Sequence, residues 1–435
     1  MNFTLKEIDA IVRRVLECFE KCGFPIQYML ENDLYKFSMG QFVLHRYSKT
    51  RVRVEFRCRS KVKLGFLKPL ILACVERLKQ LRFQDGEIRY MRTSPFLKWL
   101  ADDYIDYLRR FFFFAEQLTV DVDREGQLVM FAEGPWRDVI YFEVPCLAIV
   151  EECYMRFVLA SKDPSEVAAM MKEREKRLAE KIEFLNRLYE KHPFTLSEFG
   201  LRRRTSGEWE ETVVARMKEG CKAFVGTSNV HLARKYEVMP CGTMAHELYM
   251  GLQGEDVNMR NIQQVTWRQW REEFGRKNGI MLTDIFGARA CFRAMNEDDA
   301  NAFTGFRHDS GDPVVWGIEL MARLKELGID PATKTFVWSD CLNMELIGIL
   351  AEKFSGKVRV SFGVGTDLVN CIPGISPVSE VMKMTYSNGQ PVLKLSDDVG
   401  GKGMCPSQAL VESTKELYRY DPIVMDRSKW DSLVA

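Results

Sequence analysis

From about residue 145 onward the chain repeats one arrangement: a short apolar run, a cluster of small polar residues, then a helical stretch. "KAFVGTSN" leads into "VHLARKY", "VMPCGT" into "MAHELYMGL", and "GIMLTD" into a loop. "FRHDSGDP" opens a helix running to Gly328, "KTFVWSD" one running to Phe354, and "KVRVSFGVGT" closes the series. Strand, loop and helix in succession build a parallel sheet, either wound or curled into a barrel. In a β/α barrel the chemistry gathers on the loops that follow the strands. Those loops here hold Thr227-Ser228-Asn229, Gly242-Thr243, Thr283-Asp284, Asp309-Ser310-Gly311-Asp312, Ser339-Asp340 and Gly363-Val364-Gly365-Thr366. Functional residue types therefore fall where such a fold puts a site.

The first third reads differently, as mixed α and β. "LKEIDAIVRRVLECFEKCG" has apolar residues at helical spacing and stops at Gly23. "VRVEFRCRS" alternates as a half-exposed strand does, and "QLTVDVDREGQLVMFAEGP" reads as a hairpin around Arg124-Glu125-Gly126. "PLILACVERLKQLRF" and "SPFLKWLADDYIDYLRRF" each read as a helix, and the four phenylalanines 111–114 as packing residues. After Pro373, "VMKMTYSNGQPVLKLS" predicts a hairpin turning at Asn388-Gly389. The expected division is a mixed α/β domain over 1–144, joined by the C-terminal segment 372–435, and a barrel-like catalytic domain over 145–371.

Composition excludes several classes. A net charge of +1 supplies no field for nucleic acid or an anionic membrane, so anion binding must be local. Glu143 and Pro145 interrupt the apolar stretch around Val139–Ile149, and no basic-then-apolar leader opens the chain. Twelve cysteines without a Cys-x-x-Cys pair read as buried, reduced thiols of a cytoplasmic protein.

Among the loops, Gly363-Val364-Gly365-Thr366 offers backbone N–H groups and a hydroxyl that suit a phosphate, though taken alone its ordinary reading is a plain tight turn. Asp312 before Pro313 is a helix start, which leaves Arg307 and Asp309 unexplained by capping. An arginine beside carboxylates suits anion recognition near Mg²⁺ or a ribose diol. The arginine run 202–204 has a solvated face as its ordinary reading. His246 lacks the second histidine of a zinc His-Glu-x-x-His site. Spacing alone leaves it either a packing residue or a nucleophile.

The blocks "NDLYKFSMGQFVLHRY", "FAEGPW", "EFGLRRR", "GTSNVHLARKY", "GTMAHELYMG", "FRHDSGDP", "FVWSDCLNM", "SFGVGT" and "VLKLSDDVGGK", in this order, resemble nicotinate phosphoribosyltransferase. The resemblance runs from about residue 32 to 425. It implies a mixed α/β domain plus an irregular, incomplete β/α barrel, as in type II phosphoribosyltransferases. It also implies transfer of phosphoribosyl from phosphoribosyl pyrophosphate to nicotinate, coupled to ATP as co-substrate, with Mg²⁺ as cofactor. The chain is expected to form a homodimer with composite active sites. Nicotinamide phosphoribosyltransferase and a catalytically silent scaffold are the competing readings.

By the same resemblance His246 is the transiently phosphorylated histidine and Asp284 its orienting carboxylate. Tyr35, from a partner subunit, and Phe199 flank the pyridine ring. Arg307 serves the base, Arg202 contacts phosphate, and Asp309 lies near the ribose or its metal. Gly363, Gly365 and Thr366 hold the 5′-phosphate. An aspartate of the nicotinamide enzyme falls on Ser228, whose hydroxyl is expected to donate to the substrate acid instead. His231 has no counterpart and reads as a helix-face residue.

Overall fold

The computed structural model describes residues 3–398 and 404–430; the tail of "VLKLSDDVGGK", residues 399–402, lies outside them. Three strands precede the barrel series: β1 (Arg51–Cys58), β2 (Leu118–Val122) and β3 (Leu128–Pro135). Seven follow in the series: β4 (Thr195–Glu198), β5 (Phe224–Thr227), β6 (Met239–Pro240), β7 (Ile280–Leu282), β8 (Gly305–His308), β9 (Thr335–Trp338) and β10 (Arg359–Val364). The last two are β11 (Glu380–Ser387) and β12 (Gln390–Pro391).

The seven central strands form one parallel sheet in the order β6-β5-β4-β10-β9-β8-β7. The sheet curls without closing, because β6 and β7 are its two edges and do not pair. The strand–loop–helix repeats left a wound sheet or a barrel open, and the structure has the incomplete barrel that the resemblance implies. Alternation along the strands separates its two faces. Phe306, Phe336, Trp338 and Phe362 are buried, and this layer packs on Trp316 and Phe354 of the covering helices. Arg307, one residue beyond Phe306, points to the other side. Burial of each such phenylalanine stabilises the fold by about 1.5–3 kcal/mol.

The second sheet is antiparallel, in the order β12-β11-β1-β3-β2. Its β2–β3 turn includes Gly126 at φ 82°, and its β11–β12 turn is Asn388-Gly389 at φ 47° and 75°. Both central residues at positive φ make the second turn the type that matches strand twist, as the Asn-Gly pair requires. β11 lies against β1, pairing Val52 with Ser387.

One helical expectation is corrected and one helix is added. "SPFLKWLADDYIDYLRRF" is helical only over Asp102–Arg110; Pro95 lacks an N–H, and Trp99 Nε1 donates to Phe96 O in an irregular turn ahead of it. A separate helix, Asp85–Thr93, precedes it with a capping box between Gln84 and Glu87. Cys22 and Cys341 are exposed, against the expectation of buried thiols. Among the described residues no helix is long and apolar enough to cross a membrane.

Candidate active site

A cavity opens between the two sheets at the C-terminal ends of the barrel strands. His246, Glu247, Arg307, Asp309 and Arg202 line it from the barrel, and Tyr35, Glu143 and Lys383 from the opposite side. Its volume is about 40 Å³.

His246 begins the helix His246–Leu252 and is buried. Asp284, just past β7, accepts a hydrogen bond from its Nε2 at 2.8 Å. That tautomer leaves the lone pair on Nδ1, which faces Asp309 Oδ2 at 3.6 Å. Asp284 is held in turn by the Ser310 hydroxyl at 2.6 Å. The Lys394 ammonium stands 3.3 Å from His246 Nε2 and 3.8 Å from Asp284. Burial pushes the His246 pKa down against the pull of Asp284, so the ring is neutral at pH 7. Burial would raise Asp284, but His246, Lys394 and Ser310 hold its carboxyl well below the usual range. The pair is a neutral imidazole oriented by a fixed anion, the arrangement of an activated nucleophile.

Arg307 Nη1 lies 3.6 Å from Asp309, and its Nη2 donates to Met244 O at 3.0 Å. Burial notwithstanding, Arg307 and His246 keep the Asp309 carboxyl low. Arg202 bridges Asp33 at 3.3 Å and Glu143 at 3.2 Å, and its guanidinium lies 5.8 Å from the Tyr35 ring centroid. Arg204 departs from a solvated face: it is buried between Glu31 and Glu210, at 3.0 and 2.7 Å.

Tyr35 lines the cavity of its own chain. Backbone bonds tie the segment to the barrel of the same chain, from Leu34 N to Ser228 O and from Val230 N to Asn32 O. Ser228 is buried and does not line the cavity. Its hydroxyl donates to Asp33 Oδ1 at 2.7 Å, and so does not point at a substrate acid. The helix cap there is Asn229, which accepts from His231 N and Leu232 N. His231 stacks on Tyr28, with ring centroids 4.0 Å apart.

Phe199 and the phosphate-type loop stand beside the cavity rather than in its wall. Phe199 N donates to Val364 O at 2.8 Å, which places the ring at the end of β4 next to Gly363. Gly365 and Thr366 lead into the one-turn helix Thr366–Val369.

Four charged residues at the site escaped the sequence reading. Lys383 and Lys394 come from β11 and the strand-like stretch after it, Glu143 and Glu247 from helix starts. The signal was available for Glu247, which adjoins His246. Lys383 and Lys394 sit in an alternating hairpin, where a lysine ordinarily means a solvent face.

Known proteins resemble the chain in both sequence and fold. A family model described as the nicotinate phosphoribosyltransferase family matches residues 194–422, and one for that family's N-terminal domain matches 30–151. A nicotinate phosphoribosyltransferase of Escherichia coli O17:K52:H18 is 39% identical over 390 residues, covering 90% of this chain and 95% of that one. The crystal structure of nicotinate phosphoribosyltransferase from Vibrio cholerae superimposes with a TM-score of 0.84 at 33% identity, covering 94% of this chain and 96% of the other. The enzyme from Porphyromonas gingivalis gives 0.83 at 28%, covering 91% and 100%.

Proposed function

The chain belongs to the nicotinate phosphoribosyltransferase family, and we propose that the cavity around His246 is where it joins phosphoribosyl to nicotinate with ATP as co-substrate. The observation that carries this reading is the Asp284–His246–Asp309 alignment, with its free Nδ1 directed to the cavity.

Nicotinate and phosphoribosyl pyrophosphate are the substrates of the reaction. Departure of pyrophosphate builds positive charge at the anomeric carbon, and the nitrogen of nicotinate forms the new bond there. Alignment of the ring matters more than its activation, since the pyridine lone pair is already free. Tyr35 supplies an aromatic face and Arg307 a charge opposite to the carboxylate. Arg202 and Lys383 offer cations to the phosphates. Coupling to ATP follows from His246: Nδ1 accepts the terminal phosphoryl group while the bond to ADP breaks, and Lys394 offsets the added charge. Hydrolysis of that phosphohistidine then accompanies the transfer.

The donor atoms of His246, Asp284 and Asp309 lie within 4.8 Å of one another. Mg²⁺ prefers oxygen and takes few protein ligands, leaving positions for substrate oxygens. Asp309 alone fits that preference, because His246 offers nitrogen and Asp284 is engaged by His246 and Ser310. Mg²⁺ held by Asp309 and substrate oxygens would neutralise the leaving pyrophosphate. A homodimer with composite sites, in which Tyr35 also serves a partner's cavity, belongs to the same reading.

Purified protein given nicotinate, phosphoribosyl pyrophosphate and Mg²⁺ should form the mononucleotide, faster with ATP and slower with nicotinamide. Absence of mononucleotide in every combination would overturn the reading.

A further inference from the structure

Behind the cavity wall lies one lysine that substrate cannot touch. Lys36 follows Tyr35 in the helix Leu34–Arg46, and its ammonium is wholly buried. It stands 2.6 Å from Glu143 and in direct contact with Glu247. Glu247 takes a second hydrogen bond from Trp136 Nε1 at 2.8 Å. Glu143 and Glu247 both face the cavity, so Lys36 is the counter-ion behind two carboxylates that front the substrates.

Charge counting shows what depends on it. The carboxylates at and just behind the wall are Asp33, Glu143, Glu247, Asp284 and Asp309. The cations are Lys36, Arg202, Arg307, Lys383 and Lys394. They balance, and removal of Lys36 alone turns the site net negative. Two anionic substrates then meet a repulsive field in a region poorly screened by water.

Geometry adds a second consequence. Glu143 is shared by Lys36 at 2.6 Å and by Arg202 at 3.2 Å. The Lys36 side chain has 0% exposure and the Arg202 side chain 35%. The longer, more open contact is the one that can break. Arg202 lines the cavity, so it is the cation of the pair within reach of an incoming anion.

We propose that Lys36 is a positioning residue: it holds Glu143 and Glu247 permanently, and so releases Arg202 to an incoming anion. Burial pulls the Lys36 pKa down, but Glu143 and Glu247 raise it beyond the usual lysine value, so it stays charged. Burial would lift Glu143, yet Lys36, Arg202 and Lys383 bring it to about 2. The contact also joins the helix carrying Tyr35 to the helix that His246 begins. The inference rests on the cavity being the anion site of the family reaction.

The test compares the parent, Lys36→Met, Glu247→Gln and Lys36→Met/Glu247→Gln. Binding of inorganic pyrophosphate with Mg²⁺ is measured by calorimetry, alongside steady-state kinetics and thermal unfolding. Lys36→Met should weaken pyrophosphate binding and raise KM for phosphoribosyl pyrophosphate by about tenfold or more, with kcat changed less. The double variant should recover most of that loss, because glutamine keeps the Trp136 bond while removing the unpaired charge. Equal impairment of the single and double lysine variants, or no effect in either, overturns the proposal. Should Lys36→Met fail to fold, Glu247→Gln alone decides: binding as tight as the parent's or tighter supports it, and weaker binding overturns it. A parent that binds pyrophosphate but makes no mononucleotide would count against the family reading instead.

Discussion

Phe199 lies so close to Gly363 that a methyl group on that glycine would meet the Phe199 ring at 2.5 Å. The absent side chain on β10 thus sets where the aromatic at the end of β4 can sit. Gly363→Ala should push the ring out of place at a cost of about 1–3 kcal/mol. If the ring is a wall of the pyridine site, KM for nicotinate rises by roughly tenfold. A lowered Tm with unchanged KM would show that Phe199 only packs the strands.

His246→Ala should abolish stimulation by ATP while slow, ATP-independent transfer persists. The phosphoryl acceptor is lost, but the cations and rings that align the substrates remain. Initial rates with and without ATP check this, together with acid-labile radiolabel from γ-labelled ATP on the parent alone. Equal stimulation of variant and parent would exclude the role.

The composite site that the family likeness implies sets Tyr35 of one subunit against Arg307 of the other, so mixing inactive Tyr35→Ala with inactive Arg307→Ala should restore part of the activity. One of the two cavities in a mixed dimer then carries both residues. No activity on mixing, with subunit exchange shown by tagged copies, would confine Tyr35 to its own chain's cavity.

Ser228 acts through Asp33, whose carboxylate also holds Arg202. Ser228→Asp would set two carboxylates side by side in a buried place and draw Arg202 back from the cavity. Since Arg202 serves phosphate, we expect KM for phosphoribosyl pyrophosphate to rise and kcat/KM to fall by about 100-fold with either pyridine. A loss confined to nicotinate would assign Arg202 to the acid instead, and a lowered Tm with unchanged KM would make the effect one of packing.

Burial pushes the Lys383 ammonium down to about 8, with Lys394 and Arg202 adding to the fall and Glu143 opposing it. The group is cationic below that value and neutral above it. Affinity for phosphoribosyl pyrophosphate should therefore decline as pH rises through about 8. Lys383→Arg should flatten this limb of the kcat/KM profile, since guanidinium keeps its charge. A limb that survives in Lys383→Arg belongs to another group.

The parallel strands were legible because each repeat carries its own punctuation: an apolar run, small polar residues, then a helical spacing. The Asp312–Pro313 start and the Asn388-Gly389 turn were legible for the same local reason. What escaped was contact between distant segments. No spacing around Lys36 announces that Glu143 and Glu247 will close on it, and none around Ser228 says that Asp33 will take its hydroxyl. Lys383 looked like a strand's solvent-facing lysine, since alternation reports which face a residue shares and not what covers that face. His246 needed its family likeness to be singled out, whereas its bond to Asp284 needed the fold.

β1 finds β3 within a short stretch of chain, but its other neighbour, β11, pairs Val52 with Ser387. On the ribosome the curled parallel sheet has all its strands once residue 364 has emerged, while the wall bearing Lys383 is still unmade. The sequence separation makes this clasp a late and slow step of folding. Until it closes, β1 presents an unpaired edge to other chains. Synthesis that stalls between β10 and β11 would thus yield a folded half-barrel that is inert and prone to stick to its neighbours.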